Sequence, residues 1–305
     1  MKTLQEAICP TTFLQPEKLS TFLDIDLTIA SETFQHTGSF KFRAAYNVAL
    51  NVEEDHLITA SSGNFGQALA YACKLLNKKC HVVMPETSAA VKVEAVKNYG
   101  ATVDLIDVNK IARSERVAQL CKVFPEAYRA SAYDDPLVID GNSSLGEEIA
   151  DFVDDFDFVI VPVGGGGLIS GISKGLCRKA NQAKLFGAEP QMANDAFRSL
   201  QKGEIVRNEY EPNTIADGAR TVAVGEHNWK IIKDGVEEII EVSEENIKKS
   251  LCLNFSLANL KVEPTGALSL GAVLEQTEKF ADKKVCIVVS GGNVDPEIYR
   301  KILSS

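Results

Sequence analysis

The sequence is short of the features that mark several large protein classes. No apolar run is long enough to cross a bilayer. The opening residues, Met1-Lys2-Thr3-Leu4-Gln5-Glu6, lack the long apolar core of a secretion signal. There is no excess of positive charge: 32 Lys and Arg stand against 42 Asp and Glu, a net charge of −10. Neither nucleic acid nor an anionic membrane is an expected partner. The four histidines (His36, His56, His81, His227) show no ligand spacing, which argues against a zinc site. Cysteine occurs seven times, an odd number, with no Cys-x-x-Cys pair. We read reduced, buried, structural thiols in a cytoplasmic protein, as at Cys286 within Val285-Cys286-Ile287-Val288-Val289. Internal repeats and low-complexity tracts are missing too. So is a GxGxxG fingerprint with its ribose acid, which removes the dinucleotide motif.

What is present is a 305-residue chain, 45% hydrophobic and 24% charged, with the profile of a soluble globular protein. That length suggests two domains or one large α/β unit. Apolar strands alternate with helical stretches and short turns. Leu57–Ala60, Cys80–Met84 and Thr102–Ile106 read as strands, separated by helices over 67–76 and 88–99, with Ser88 as N-cap and Gly100 as stop. Tyr133–Pro136 reads as a linker. Pro136–Gly141 opens a new unit, with a helix over 145–153, and Phe158–Val163 is a strand running into four glycines. Lys184–Glu189, Glu237–Val242 and Lys283–Val289 complete the strands, and Ser243 caps the helix after the second of them. The pattern predicts an α/β fold of two doubly wound parallel-sheet domains. The larger comprises 1–51 and 133–305. The smaller, 52–132, is expected to be mobile and to bind substrate. A cofactor would sit in the cleft between them, at the carboxyl ends of the strands.

Four stretches could carry chemistry. In His36-Thr37-Gly38-Ser39-Phe40-Lys41-Phe42-Arg43, one lysine follows a Thr-Gly-Ser turn in a nearly uncharged run. If desolvated, Lys41 is a nucleophile toward aldehydes; if its head reaches solvent, it is an ordinary helix-start lysine. Gly164-Gly165-Gly166-Gly167 lies between a strand and a helix, where backbone N–H groups and the helix dipole suit one phosphate. Ser61-Ser62-Gly63-Asn64-Phe65-Gly66-Gln67 also joins a strand to a helix. Its hydroxyls, amide and backbone donors suit a carboxylate, though as residues alone they favour an ordinary cap. Ser290-Gly291-Gly292-Asn293 ends the last apolar strand and could be no more than a turn.

In chain order, the lysine, Ser61, Gly164 and Ser290 stretches resemble the fold-type II pyridoxal-phosphate enzymes, specifically the branch of threonine/serine dehydratase and serine racemase. The resemblance runs from about Pro10 to about Asn293. It implies that Lys41 carries pyridoxal 5'-phosphate and removes the substrate's α-proton, and that Gly164, Gly165, Gly166 and Gly167 hold the phosphate. It implies that Asn64 bonds the ring hydroxyl oxygen and that Ser290 partners the ring nitrogen. A hydroxyl at that position does not force protonation of the ring, so elimination and racemisation compete better against transamination. Ser61, Ser62 and Asn64 would bind the substrate, with Ser62 as the acid/base on the face opposite Lys41. Glu189-Pro190-Gln191-Met192-Ala193-Asn194-Asp195 matches the branch's metal site in spacing. Glu189, the Ala193 carbonyl and Asp195 would then hold Mg²⁺ or Ca²⁺; alternatively Asp195 is the N-cap of the next helix. Glu263, in Glu263-Pro264-Thr265-Gly266-Ala267, would lie near the cofactor ring.

The chain departs from the family where Phe65 replaces the usual histidine, and at Arg220 and His227, which could meet a substrate side chain. The implied activity is an ammonia-lyase converting serine, threonine or 3-hydroxyaspartate to a 2-oxo acid and ammonia. Phe65 cannot relay a proton, so racemisation is expected to be the minor reaction. The alternatives are an amino-acid racemase on the same scaffold and a non-catalytic pyridoxal-phosphate binder. A homodimer is usual in the family. A C-terminal regulatory domain is not expected.

Overall fold

A computed structural model describes residues 2–61, 63–88, 90–152 and 155–304. Its strands are β1 (Thr12–Leu14), β2 (Asp26–Ser31), β3 (His56–Ala60), β4 (Lys79–Pro85), β5 (Thr102–Ile106), β6 (Tyr128–Arg129), β7 (Phe158–Pro162), β8 (Lys184–Pro190), β9 (Glu238–Val242) and β10 (Lys284–Val289). They form a six-stranded sheet in the order β1-β2-β10-β7-β8-β9 and a four-stranded sheet in the order β5-β4-β3-β6. Every pairing is parallel except β1 with β2. The fold is therefore α/β, as expected, with one antiparallel edge strand that the sequence pattern did not suggest.

Both sheets are covered on both faces, and the strands show why they read as continuous apolar runs. In β10, Val285, Ile287 and Val289 pack on one side with Leu268, Leu251 and Leu19. Cys286 and Val288 pack on the other with Leu145, Ile149 and Ile172. In the four-stranded sheet, Leu57, Val82 and Met84 face Ala68 and Leu69, while Ile58, Val83 and Ile106 face Val117 and Leu120. Successive residues of a strand point to opposite faces, so each strand feeds two cores.

Several local expectations need correction. Pro136–Phe152 is one helix of 17 residues, including the stretch that read as the opening of a new unit. Its glycines are demanded by packing: a Cβ on Gly146 would lie 2.5 Å from the Ile172 oxygen of helix Gly167–Arg178. Ser88 Oγ is buried without a hydrogen-bond partner, so it makes no cap bond. Ser243 does cap, accepting from the Asn246 N–H. All seven cysteines are free, but only Cys73, Cys80 and Cys286 are buried, and Cys177 is exposed. No described helix is long and apolar enough to cross a membrane.

Candidate active site

Strand order brings the motifs together. β10 lies between β2 and β7, all three parallel. Their carboxyl ends lead into the lysine loop, Ser290 and the glycine turn: β2 to the first, β10 to the second, β7 to the third. The loop after β3 carries Ser61 and Asn64 toward the same place, since Asn64 is hydrogen-bonded to Glu263 and Asn293. This is the strand-end position at which open parallel sheets bind ligands.

Lys41 opens helix Lys41–Asn51. The residue as a whole is partly accessible, but its ammonium group is enclosed. The Nζ donates to the Ala132 carbonyl at 2.7 Å and lies 4.9 Å from the Phe40 ring centre and 5.8 Å from that of Phe65. Burial lowers its pKa from 10.5 to about 8, and the negative charge of Glu263 partly opposes that. Burial disfavours the charged form and leaves an amine of raised nucleophilicity near neutral pH. Of the two readings open to this lysine, the surroundings of its Nζ favour the desolvated one.

Two positions behind Lys41, Arg43 is completely buried and satisfied at every nitrogen. It pairs with Glu32 (2.8 and 2.9 Å) and Glu148 (2.9 and 3.0 Å), and bonds Ser144 Oγ and Thr11 Oγ1. Those partners tie the start of the lysine helix to the N-terminal segment, the end of β2 and helix Pro136–Phe152. Sequence reading assigned Arg43 no role, because a lone arginine in a motif does not reveal its partners.

The glycine turn is packed from all sides. Gly166 has φ +91, a left-handed backbone that glycine adopts without steric cost. A Cβ on Gly165 would fall 2.2 Å from the Tyr133 ring. Buried Asn228 donates to the carbonyls of Tyr133 (3.0 Å) and Gly165 (2.7 Å) and fastens the turn. Packing alone thus explains why glycine stands there. The turn nonetheless ends in the 12-residue helix Gly167–Arg178, whose N-cap makes no side-chain bond. Its first N–H groups remain donors for an anion.

Glu263 is 5% exposed, and burial, reinforced by Asp217, raises its pKa to about 7. Asn64 Nδ2 donates to both its oxygens, at 2.9 and 3.1 Å. Ser61 Oγ accepts from the N–H of Gly66 at 3.1 Å, an ordinary helix-start bond that leaves its O–H free to donate. Ser62 lies outside the described residues. Arg220 donates from Nε and Nη2 to the Thr214 carbonyl at 2.8 and 2.6 Å and is partly exposed. His227 is half exposed, with Nδ1 3.4 Å from Asp134.

Beyond β8, the Glu189 carboxylate is fully buried and accepts from the N–H groups of Ala196 (3.0 Å) and Phe197 (2.8 Å). Glu189, not Asp195, therefore caps helix Asp195–Lys202. Asp195 Oδ1 accepts from Asn208 at 2.9 Å, and its Oδ2 is buried without a partner. Burial raises the pKa of Glu189 well above the ordinary range, aided by the charge of Asp195, and raises that of Asp195 to about 7. Two buried carboxyls with an unpartnered oxygen suit a hard cation. Among the described residues no group of three His, Cys, Asp or Glu side chains could hold a metal, so a carbonyl would have to complete the set.

An aldehyde-bearing, phosphate-bearing ring fits this arrangement. Ser290 Oγ and Ser39 Oγ are buried polar atoms without partners, Lys41 is an enclosed amine, and the helix behind the glycine turn is uncapped. The comparisons with known proteins agree. The family described as pyridoxal-phosphate dependent enzyme matches residues 4–291. Serine racemase from Dictyostelium discoideum is 38% identical over 315 residues, covering 99% of this chain and 95% of that protein. L-threo-3-hydroxyaspartate ammonia-lyase from Saccharomyces cerevisiae is 35% identical over 308 residues, covering 99% and 93%. The crystal structure of a threonine deaminase from T.th. superposes with a TM-score of 0.89 at 36% identity, covering 96% and 95%. Relatives so similar over nearly the whole length, with the lysine loop inside the matched span, leave one conclusion: the chain belongs to the pyridoxal-phosphate dependent enzymes, in their fold type II.

Proposed function

We propose that this protein is an ammonia-lyase that converts a small β-hydroxy amino acid (serine, threonine or 3-hydroxyaspartate) to a 2-oxo acid and ammonia. The single observation that carries the reading is the enclosed Lys41 amine, with its pKa near 8 and the apolar Phe65 ring beside it. When bound, pyridoxal phosphate supplies the electron sink that makes a substrate's α-proton removable. The backbone of Gly164 to Gly167 holds its phosphate, Asn64 its ring oxygen, and Ser290 its ring nitrogen. The Ser61–Asn64 loop holds the substrate carboxylate. Lys41 Nζ then takes the α-proton on its own face. Phe40 and Phe65 flank that amine, so the proton would be held at Nζ while the Cβ–O bond breaks and the hydroxyl takes up a proton and leaves as water. Glu189, the Ala193 carbonyl and Asp195 hold Mg²⁺ or Ca²⁺ apart from the chemistry.

A second reading, racemisation, is favoured by the relatives named serine racemase. It requires an acid/base on the opposite face, the role given to Ser62. Phe65 offers no proton relay at the position of the family's histidine.

The deciding experiment incubates the protein with L-serine and compares pyruvate with D-serine, then repeats oxo-acid release across a panel of hydroxy amino acids. An excess of pyruvate is expected, and an excess of D-serine would establish the racemase instead. Borohydride trapping is expected to mark Lys41, and Lys41→Ala to abolish trapping and turnover together. A mark on another lysine would refute the assignment, and trapping without turnover on any panel member would leave only a cofactor binder.

A further inference from the structure

Asn293 closes the Ser290-Gly291-Gly292-Asn293 stretch, and the proposed reaction makes no use of its side chain. Its Nδ2 lies 2.7 Å from the Thr37 carbonyl and 2.9 Å from Asn64 Oδ1. The amide thus uses both N–H donors to join the lysine loop to the loop after β3, across sequence separations of 256 and 229 residues. Asn64 in turn points its own Nδ2 at the Glu263 carboxylate. The ring closes through the main chain: the Asn293 N–H reaches the Glu263 carboxylate, and the Glu263 N–H donates to the Gly291 carbonyl at 3.1 Å.

Shape alone does not tell an amide's oxygen from its nitrogen. Here the chemistry at the ends does. Thr37 contributes a main-chain carbonyl, which can only accept. Asn293 must therefore present nitrogen to it, and the second N–H of that nitrogen requires Asn64 to answer with oxygen. Asn64 is left with nitrogen toward Glu263, an acceptor again. Flipping Asn64 would set oxygen against oxygen at Glu263 and nitrogen against nitrogen at Asn293, and flipping Asn293 would set oxygen against oxygen at both Thr37 and Asn64. The turn leaves little slack: a Cβ on Gly38 would sit 2.4 Å from Asn293 Oδ1. Gly292 N donates to the Gly38 carbonyl at 3.0 Å, and Phe40 N to the Ser290 carbonyl at 3.0 Å.

We propose that Asn293 is a positioning residue that fixes the amide polarity of Asn64, so that the Asn64 Nδ2, shared here between the two Glu263 oxygens, is the atom that would meet the cofactor's ring oxygen as a donor. The inference rests on the reading that Asn64 holds that oxygen. On this reading Asn293 acts through Asn64 and, by the Thr37 carbonyl, through the loop that carries Lys41.

The test compares Asn293→Asp with Asn293→Ala in the holoenzyme. Aspartate fills the same space but cannot donate as an anion, so it turns the Asn64 nitrogen toward itself. Alanine leaves Asn64 free to choose. A space-filling role ranks alanine as the worse change, whereas a polarity role ranks aspartate as the worse. Cofactor release on dialysis is expected to be about tenfold faster in Asn293→Asp than in wild type, the scale of one buried hydrogen bond lost or reversed. It is also expected to be faster than in Asn293→Ala, with a shifted visible absorption band. Wild-type retention in Asn293→Asp, or a larger effect in Asn293→Ala, overturns the proposal. Should Asn293→Asp not fold, Asn293→Ala decides: about threefold faster release at an unchanged melting temperature supports it, and unchanged release refutes it. Asn64→Ala separates the two levels. If Asn64→Ala leaves release and absorption unchanged, the reading of Asn64 is wrong; if it changes both and Asn293→Asp does not, only the role of Asn293 is wrong.

Discussion

The charge of Glu263 acts on Lys41, and that fixes a pH dependence with a definite sign. Burial brings Lys41 down to about 8, and ionised Glu263 partly opposes it. Below that pH the neutral fraction of the amine falls about tenfold per unit. The rate at which added pyridoxal phosphate attaches should therefore rise with pH and level off above about 8. Glu263→Gln removes the opposing negative charge, so its midpoint should move to lower pH. A midpoint that stays or rises would show that the two groups are not coupled. Glu263 also has a stability signature. Its folded pKa of about 7 lies above the ordinary 4.5, so the folded state binds the proton more tightly. Stability then falls as pH rises between those values, and the cost is fully present above about 7. Glu263→Gln should accordingly raise the melting temperature more at about pH 8 than at about pH 4, with an upper bound of about 3 kcal/mol. Thermal melts at the two pH values measure it.

At the scale of elements, Arg43 is the knot. It binds two carboxylates from separate segments, and Glu32 is 1% exposed. Arg43→Ala leaves that carboxylate buried without its counter-charge, a loss of about 3–5 kcal/mol. Arg43→Lys should lose less but still substantially, because an ammonium cannot make the two-pronged bonds to both carboxylates. Denaturant unfolding distinguishes the two. The junction between β8 and helix Asp195–Lys202 gives a second expectation. If a cation lies between Glu189 and Asp195, excess chelator lowers the melting temperature, added Mg²⁺ or Ca²⁺ restores it, and Asp195→Ala removes the response. A melting curve indifferent to chelator would leave Asp195 as a partner of Asn208 only. Elements of this kind differ in how far the sequence reveals them. β7 and β10 are apolar on both faces and can be read directly, as can Ser243 as a cap. Helix Pro136–Phe152 reads short because Gly141 looks like a break, and only its packing against helix Lys41–Asn51 shows why glycine stands there. β1 has three half-buried residues and no periodicity to read. The lysine, glycine and serine stretches of the site stand out by composition. The Arg43 cluster and the Asn293 link do not, because their partners lie up to 256 residues away.

At the scale of the molecule, the four-stranded sheet meets the rest of the chain around the site. Two exposed ion pairs also join them, Lys92 with Asp217 (3.4 Å) and Arg113 with Glu211 (3.1 Å). Such pairs contribute about 0–1 kcal/mol each and are screened by salt. If residues 52–132 move as a unit, the pairs favour the closed arrangement. The KM for substrate should then rise about twofold to fivefold between low and high salt. The Lys92→Ala, Arg113→Ala double variant should begin at the high value and show little further change. Steady-state kinetics at several ionic strengths would reveal a salt response that survives both substitutions, and that would assign it elsewhere.

The central place of β10 has a consequence in time. Residues 284–289 leave the ribosome after every other strand, yet they fill the gap between β2 and β7. A nascent chain that has made β1 through β9 still holds two open strand edges in the middle of its larger sheet. It has neither Ser290, proposed to face the ring, nor Asn293, proposed to orient Asn64. Synthesis therefore delivers Lys41 long before Ser290 and Asn293, and the sheet beneath the site cannot be complete until its last strand is made. Until then those open edges are what a chaperone would have to shield from neighbouring chains.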